Sequence, residues 1–395
     1  MKAIVVGAGI AGLVTARQLG LAGWEVELVE KADGPRRDGY MMDFFGPGLE
    51  ASERIGLYPR LARMAYPVEA AEYVDAKERV KARLDYDQFA RLAGGKVLSL
   101  LRPDMERAAL AALDDVPAGR VRLRYGTRVT GVSMDGDGVR IDADGPTARL
   151  PAADVVIGAD GIHSAVRARI FGPETEYLRP LGMRAAAFIV PEAELNARFS
   201  GRFILTDSLG RTAGFYSLRT DEVAAFLVYR DPPAGAGRDA ATSPRDRLRS
   251  EFSGLGTAVD RLLNLCPADP YDDVVAQIVM PRWWKGRAVL VGDACGAVSL
   301  LAGQGGSLAI AAGALLGDVL GKAASADGIA PALAEFEREW QPVVAQAQAS
   351  GRRAASSFLP ANRSQRLLRR WVIRATKLPG IDRLVARQLL RSIAK

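Results

Sequence analysis

The sequence predicts an α/β fold: a mostly parallel nucleotide-type sheet, interrupted by an antiparallel β-rich insert and followed by C-terminal helices. Three observations carry this. A strand, a glycine turn, a helix and a second strand follow one another within residues 2–30, as in a βαβ unit. Short apolar runs return at 153–157 and 287–291, each leading into glycine and aspartate, as buried parallel strands do. Between them, residues 176–280 change to short alternating segments separated by turn residues.

Taken in order, residues 2–6 are a buried strand, 10–21 a helix and 24–30 the second strand. Glycines and prolines crowd 34–47, which predicts a loop, and helical stretches follow at 49–55 and 58–64. Residues 71–84 alternate around a polar turn at Asp75-Ala76-Lys77, the pattern of a hairpin. Residues 103–113 form a helix with Pro103 in its first turn. Strands follow at 120–125, 128–134, 138–143 and 153–157. The insert supplies strands at 183–190, 202–206, 212–218 and 224–229, with a helix inside 243–265. A buried strand at 287–291 leads to a small-residue helix at 305–320 and another at 335–349. The chain therefore divides into a nucleotide domain of 1–70, 98–175 and 281–350, a β-rich domain of 71–97 and 176–280, and a tail of 351–395.

Hydrophobic residues make up 49% and charged residues 25%, the usage of a soluble globular protein. No run approaches the roughly eighteen apolar residues of a membrane span, and Met1-Lys2 enters a strand with no room for a signal peptide, which predicts a cytoplasmic protein. Two cysteines, Cys266 and Cys295, cannot build a disulfide framework or a cysteine metal site. The single histidine, His163, removes most zinc and serine-hydrolase schemes. The net charge of +7 resides in the tail: residues 361–395 carry ten Lys/Arg and one acid, leaving 43 basic against 45 acidic residues elsewhere. That distribution argues against nucleic acid. Residues 363–395 read as two amphipathic helices broken at Pro379-Gly380, suited to covering the domain junction, or to a membrane surface or acidic partner.

Gly7-Ala8-Gly9-Ile10-Ala11-Gly12 lies between strand and helix, where a dinucleotide fingerprint belongs. Gly7 allows the tight turn, Gly9 lets a pyrophosphate approach, Gly12 packs helix on strand, and the helix N-terminus faces the phosphates. Glu30, ending the second strand, is placed to accept from a ribose diol. Alone, this turn fits NAD as well as FAD. Gly158-Ala159-Asp160-Gly161, followed by His163-Ser164 and Arg167, would alone be an ordinary strand-to-turn junction. Val291-Gly292-Asp293-Ala294 ends the later buried strand, where an aspartate can bind sugar or ribityl hydroxyls. Gly303-Gln304-Gly305-Gly306-Ser307 opens a helix whose amides can hold an electron-rich ring edge.

In this order, the three motifs resemble those of the FAD-dependent monooxygenases of the p-hydroxybenzoate hydroxylase superfamily, the tetracycline-modifying and polyketide-tailoring members most closely. The resemblance covers about residues 1–350 and implies a Rossmann-like FAD-binding domain with an inserted antiparallel β-sheet substrate domain. It implies that Gly7, Gly9, Ile10, Ala11 and Gly12 hold the pyrophosphate, and Glu30 with Lys31 the adenosine ribose. Arg102 would reach the phosphate and ribityl region, Val129 the adenine through its backbone, and Asp293 the ribityl or phosphate-side hydroxyls. Asp160 would buttress the FAD, while Gly303, Gly305, Gly306 and Ser307 would lie along the pyrimidine edge of the flavin. The 39–43 loop is similar to a segment that approaches the flavin, and Arg36 and Arg37 are either phosphate contacts or solvated charges. Three positions depart from the family pattern: Leu300 replaces a usual proline, Gly296 a frequent histidine, and Ala311-Ala312 a common acidic pair.

With one nucleotide fingerprint, the resemblance implies FAD as resident cofactor and NADPH or NADH as a transient co-substrate on its surface. It implies that O2 is activated as a flavin C4a-hydroperoxide and that one oxygen enters an aromatic or polyketide-like small molecule, with no catalytic side chain and no metal required. Phe203, Phe215, Tyr216, Phe226 and Tyr229 are each either plain core or a wall of the substrate site, with Met41, Met42 or Met183 opposite, and Tyr216 or Tyr229 could polarise a phenol. Cys295 reads as a packing residue and Trp283-Trp284 as packing at the domain junction. A monomer or homodimer is expected. A reductase of prenyl-type double bonds and a FAD-binding partner without turnover are the alternatives.

Overall fold

The computed structural model describes residues 1–35, 39–93, 95–135, 138–145, 150–231 and 242–367. Arg36, Arg37 and the tail from residue 368 onward, including the Pro379-Gly380 break, lie outside the described residues. The architecture is the α/β class predicted above, built on two sheets.

The first sheet has six strands in the order Trp284–Lys285, Ala288–Leu290, Val155–Gly158, Lys2–Val6, Glu25–Val29, Val121–Arg124. All neighbours are parallel except the first pair. Val6 is opposite both Gly158 and Val29, and Gly158 is opposite Leu290. This register brings Gly7, Glu30, Asp160 and Asp293 to one carboxyl edge of the sheet, where open α/β sheets bind ligands. Helix Ile10–Leu21 packs on the sheet and against helix Gly305–Gly321. Both are apolar on nearly every side, which suits helices enclosed on all faces.

The second sheet has seven strands in the order Tyr271–Ile278, Leu178–Pro191, Glu222–Arg230, Arg211–Ser217, Arg202–Ser208, Ala70–Val74, Val80–Asp85. It is antiparallel apart from the pairing of Arg202–Ser208 with Ala70–Val74, so the 70–85 hairpin extends the insert's own sheet. Helices Ala193–Phe199, Pro244–Phe252 and Thr257–Leu265 cover one face. The other face meets the nucleotide domain through Met183, Ala185 and Val228 against Ala355 and Leu359, and through Tyr216 and Ala224 against Leu101 and Met41.

Several elements differ from the sequence expectation, among them helices Tyr86–Leu92 and Ala193–Phe199, which it did not contain. The helix expected in 243–265 is two helices, separated at Gly254 and Gly256, both with positive φ (77° and 141°). Strand Leu178–Pro191 runs fourteen residues, continued past a bulge between Pro180 and Met183. Within the 34–47 loop, Met41–Phe44 forms a strand paired antiparallel with Leu98–Leu101. The last described helix, Ile329–Phe358, runs without interruption through residue 350.

Candidate functional site

Gly7 ends the first strand with φ of 104°, a value that L side chains rarely adopt. A Cβ at Gly7 would lie 2.4 Å from the Ala159 carbonyl oxygen, and one at Gly12 1.9 Å from the carbonyl oxygen of Gly7. Strand, turn and helix therefore touch backbone to backbone. Gly9 faces the opposite way, its nearest neighbour being Glu106 Oε1 at 3.9 Å from a built Cβ. No side chain caps the helix beginning at Ile10, so its first-turn N–H groups, those of Ile10 and Ala11 included, remain for a ligand.

Glu30 is fixed by two amides: Ala8 N–H donates to Oε2 at 2.9 Å and Ala32 N–H to Oε1 at 3.0 Å. Thr127 N–H donates to the Glu30 carbonyl at 2.9 Å, which places the strand Arg128–Asp135 and buried Val129 alongside. A cavity of about 610 Å³ runs from Gly7, Gly9, Glu30 and Lys31 past Val129 and Asp160 to Arg102, Asp293, Tyr40 and Tyr271. Its size and mixed polarity suit a ligand-sized occupant.

Asp160 and Asp293 sit on that cavity in different ways. The Asp160 carboxylate accepts from Ser164 Oγ at 2.5 Å and from the amides of Ala165 and Val166 at 2.7 and 3.1 Å, capping the helix Ala165–Ile170. Burial raises its carboxyl above the ordinary range, and those donors oppose the rise. It shapes the wall through the cap. Asp293 is exposed to the cavity it lines; the protein around it raises its carboxyl too, with Arg102 pulling it back. Arg102 pairs with Glu106 Oε1 at 3.2 Å, and its N–H donates to the Tyr40 carbonyl at 3.1 Å.

The predicted ring-edge segment, residues 303–307, is not among the residues that line this cavity. Ser307 Oγ accepts from Gly48 N–H at 2.9 Å and donates to the Phe45 carbonyl at 2.5 Å, so its hydroxyl locks the 45–48 turn. A Cβ at Gly303 or Gly305 would meet nothing within 4 Å, whereas one at Gly306 would strike Met42 Sδ at 2.6 Å. Gly303 and Gly305 thus border open space while Gly306 packs inward. The departures from the family pattern have local reasons. A side chain at Gly296 would collide with Val344 at 2.8 Å, Ala311 and Ala312 are core, and Leu300 packs among Met183, Val228 and Ala355.

The expected aromatic wall splits in two. Phe203, Tyr216 and Phe226 face the nucleotide domain, but Phe215 and Tyr229 lie in the core beneath the insert's helices. Strand alternation requires this, because Phe215 and Tyr216 are adjacent and Phe226 and Tyr229 are three apart. Tyr229 Oη donates to Asp272, which also accepts from Arg184 and Arg247; burial, then Asp272, pushes the phenol up to about 12. Tyr216 Oη accepts from Met41 N–H. Met41 and Met183 share the Tyr216 side of the insert, while Met42 is in the nucleotide-domain core. Tyr271 on the insert lines the cavity opposite Tyr40, with ring centroids 6.4 Å apart, and Tyr40 lies 5.5 Å from Phe226. Strand Tyr271–Ile278 and its cavity residues escaped the sequence reading; the short apolar run Val274-Val275-Ala276 was the available signal, masked by Asp272 and Asp273 before it.

Cys295 is buried, and burial raises its thiol well above the ordinary range, as for a packing residue. Trp283 packs on Phe336. Among the described residues no cluster of His, Cys, Asp and Glu could hold a metal ion, and no helix is long and apolar enough to cross a membrane.

Comparison with known proteins places this geometry. The family described as FAD binding domain matches residues 1–350. An uncharacterized protein of Mycobacterium tuberculosis is 34% identical over 347 residues, 85% of this chain and 90% of the relative. A flavin-dependent monooxygenase of an unknown prokaryotic organism is 29% identical over 372 residues, 91% of this chain and 90% of the relative. The crystal structure of the tetracycline destructase Tet(55) superimposes with a TM-score of 0.77 at 26% identity, covering 95% of this chain and 96% of that one.

Proposed function

The chain belongs to this FAD-binding family of p-hydroxybenzoate hydroxylase-type flavin monooxygenases, and from that premise we propose that it hydroxylates an aromatic or polycyclic natural product, using NAD(P)H and O2. One observation carries the reading. A single cavity joins a dinucleotide-type glycine turn and Glu30 to the Tyr40–Tyr271–Phe226 aromatic cluster against the insert sheet, so a cofactor and a planar substrate would meet there.

The residues fit FAD. Gly7, Gly9 and Gly12 with the Ile10 and Ala11 amides would receive the pyrophosphate, Glu30 and Lys31 the adenosine ribose, and Val129 the adenine. Arg102 and Asp293 would hold the ribityl and phosphate side, and the backbone at Gly303 and Gly305, with open space before it, the pyrimidine edge. Gly306 and Ser307 would support that edge from behind, as Asp160 supports its wall. When bound, the flavin would supply the redox chemistry that couples NAD(P)H and O2 to the transfer of one oxygen atom to the substrate and one to water. In sum, a substrate C–H, O2, NAD(P)H and a proton give C–OH, NAD(P)⁺ and water. The chain's own part is to orient the substrate against Tyr40, Tyr271 and Phe226 and to exclude water. NAD(P)H is a visitor to this surface.

The test is NAD(P)H oxidation by the FAD-loaded protein under ¹⁸O2, with a panel of phenolic and polycyclic compounds. The reading requires substrate-stimulated oxidation with one ¹⁸O in the product. A saturated product formed without O2 would establish a reductase instead, and no stimulation by any compound would favour a binding role without turnover.

A further inference from the structure

The chain's only histidine sits where the two sheets meet. His163 follows the Asp160-Gly161 turn of the nucleotide domain, and its Nδ1 is 3.0 Å from Glu174 Oε1 in the same domain. Its Nε2 is 3.1 Å from Oδ2 of Asp273, on the edge strand Tyr271–Ile278 of the insert. Glu174 accepts in turn from Arg167 Nη2 at 2.9 Å, and Arg167, which has no exposed surface, donates to the carbonyls of Ile162 at 2.6 Å and Ala294 at 2.9 Å. An unbroken polar chain therefore runs from the insert's edge strand to the turn carrying Asp293. His163, Asp273, Tyr271 and Asp293 all line the same cavity.

We infer that His163 is a positioning residue: as an imidazolium between Asp273 and Glu174 it holds the edge strand, and with it Tyr271, at the mouth of the cofactor cavity. Two ring nitrogens facing two carboxylates are satisfied together only when both carry a proton. With a neutral ring, one carboxylate loses its donor and the two acids face each other across it. The remaining charges around the ring do not replace it: Arg167 stands behind Glu174, Arg184 acts on Asp273 at longer range, and Asp160 is committed to its helix cap. The hydrogen bond from Asp273 is the largest influence raising the imidazole, to about 9, with burial opposing and Glu174 adding to the rise. Burial alone would push Asp273 up, yet its bond with His163 holds it below the ordinary carboxylate range.

The sign follows from linkage. A base whose folded value exceeds its ordinary 6.5 stabilises fully below about pH 6.5, and that contribution disappears as pH rises through about 9. The strut should thus hold across neutral pH and release the edge strand on the alkaline side. Only its consequence for turnover rests on the monooxygenase reading.

With one histidine, the ring Cε1–H signal of a tag-free, ¹³C-labelled, FAD-loaded chain needs no assignment. Its titration midpoint should lie near 9 and fall toward the ordinary value in Asp273→Asn. Hydrogen-exchange protection of strand 271–278, corrected for intrinsic rates, should drop severalfold, by at most about tenfold, between pH 8 and pH 10. In His163→Arg, which keeps its charge, it should stay flat. A wild-type midpoint at or below about 7, an unshifted midpoint in Asp273→Asn, or the same alkaline loss of protection in His163→Arg would overturn the proposal. None of these readouts depends on the substrate being correct.

Discussion

Arg167 Nη1 donates to the carbonyl of Ala294 at 2.9 Å across 127 residues of sequence. The bond joins the Gly158–Arg167 segment to the Gly292–Ala294 turn, two motifs that are ordinary strand ends when read apart.

Removing that link should be costly. Burial pulls the Arg167 guanidinium below the ordinary arginine range, and Glu174 is the strongest influence opposing this. Arg167→Met would remove one of the two donors to Glu174 and the Arg167 hydrogen bonds to the carbonyls of Ile162 and Ala294. A loss of about 3–5 kcal/mol is expected, read from urea denaturation of the FAD-loaded protein, together with faster flavin release. An unchanged denaturation midpoint would contradict this account.

The glycine turn allows a sharper test. Gly12→Ala places a Cβ 1.9 Å from the Gly7 carbonyl oxygen, and both partners are backbone. The turn must open, costing about 1–3 kcal/mol. The variant should purify without flavin, which the ratio of flavin to protein absorbance reports. Gly56→Ala is the control for space, since no atom lies within 4 Å, although its φ of 71° adds mild strain.

Glu30 already accepts two amide hydrogen bonds. Glu30→Gln removes the charge and turns one acceptor into a donor facing an N–H. FAD affinity should fall about 10- to 100-fold, the worth of a hydrogen bond to a charged group, in a flavin-fluorescence titration. Tight binding by this variant would exclude a ribose contact through the carboxylate.

Asp43 gives a pH signature of the same sign as that of His163, in a more acidic window. Ser99 Oγ donates to it at 3.1 Å, but burial dominates and raises the carboxyl from 3.8 to about 6. A raised acid value means that the folded state binds the proton more tightly. Stability associated with Asp43 is therefore greatest below pH 3.8 and is lost as pH rises through about 6. Asp43→Asn should be more stable than the parent at pH 7.5, by at most about 3 kcal/mol, and the two should converge toward pH 4. A constant difference across that range would show that Asp43 is not the titrating group.

The two aromatic faces should separate in kinetics. Tyr229→Phe loses only a donor to Asp272, so about 1 kcal/mol of stability should go while kcat/KM holds. Phe226→Ala, beside Tyr40 at the cavity end, should lower kcat/KM by about tenfold or more with a modest stability change. Equal kinetic effects from both would return Tyr229 to the substrate wall.

The nucleotide half could be read in the sequence because its signals are local. The Gly7–Gly12 turn, Glu30 and the two later strands with their aspartates each announce themselves within about six residues, and parallel register then carries them to one edge. The insert could be read only as β-rich. Its strand ends and the Tyr271–Ile278 strand depend on partners far along the chain. Local pattern identified Phe215, Tyr216, Phe226 and Tyr229 as sheet residues, but which face a sheet turns toward a cavity depends on what covers the other side, here helices Pro244–Phe252 and Thr257–Leu265. The same limit hid His163. Nothing near it in sequence points to Asp273, 110 residues away, and only packing the insert against the nucleotide domain gives that histidine two carboxylates to bridge.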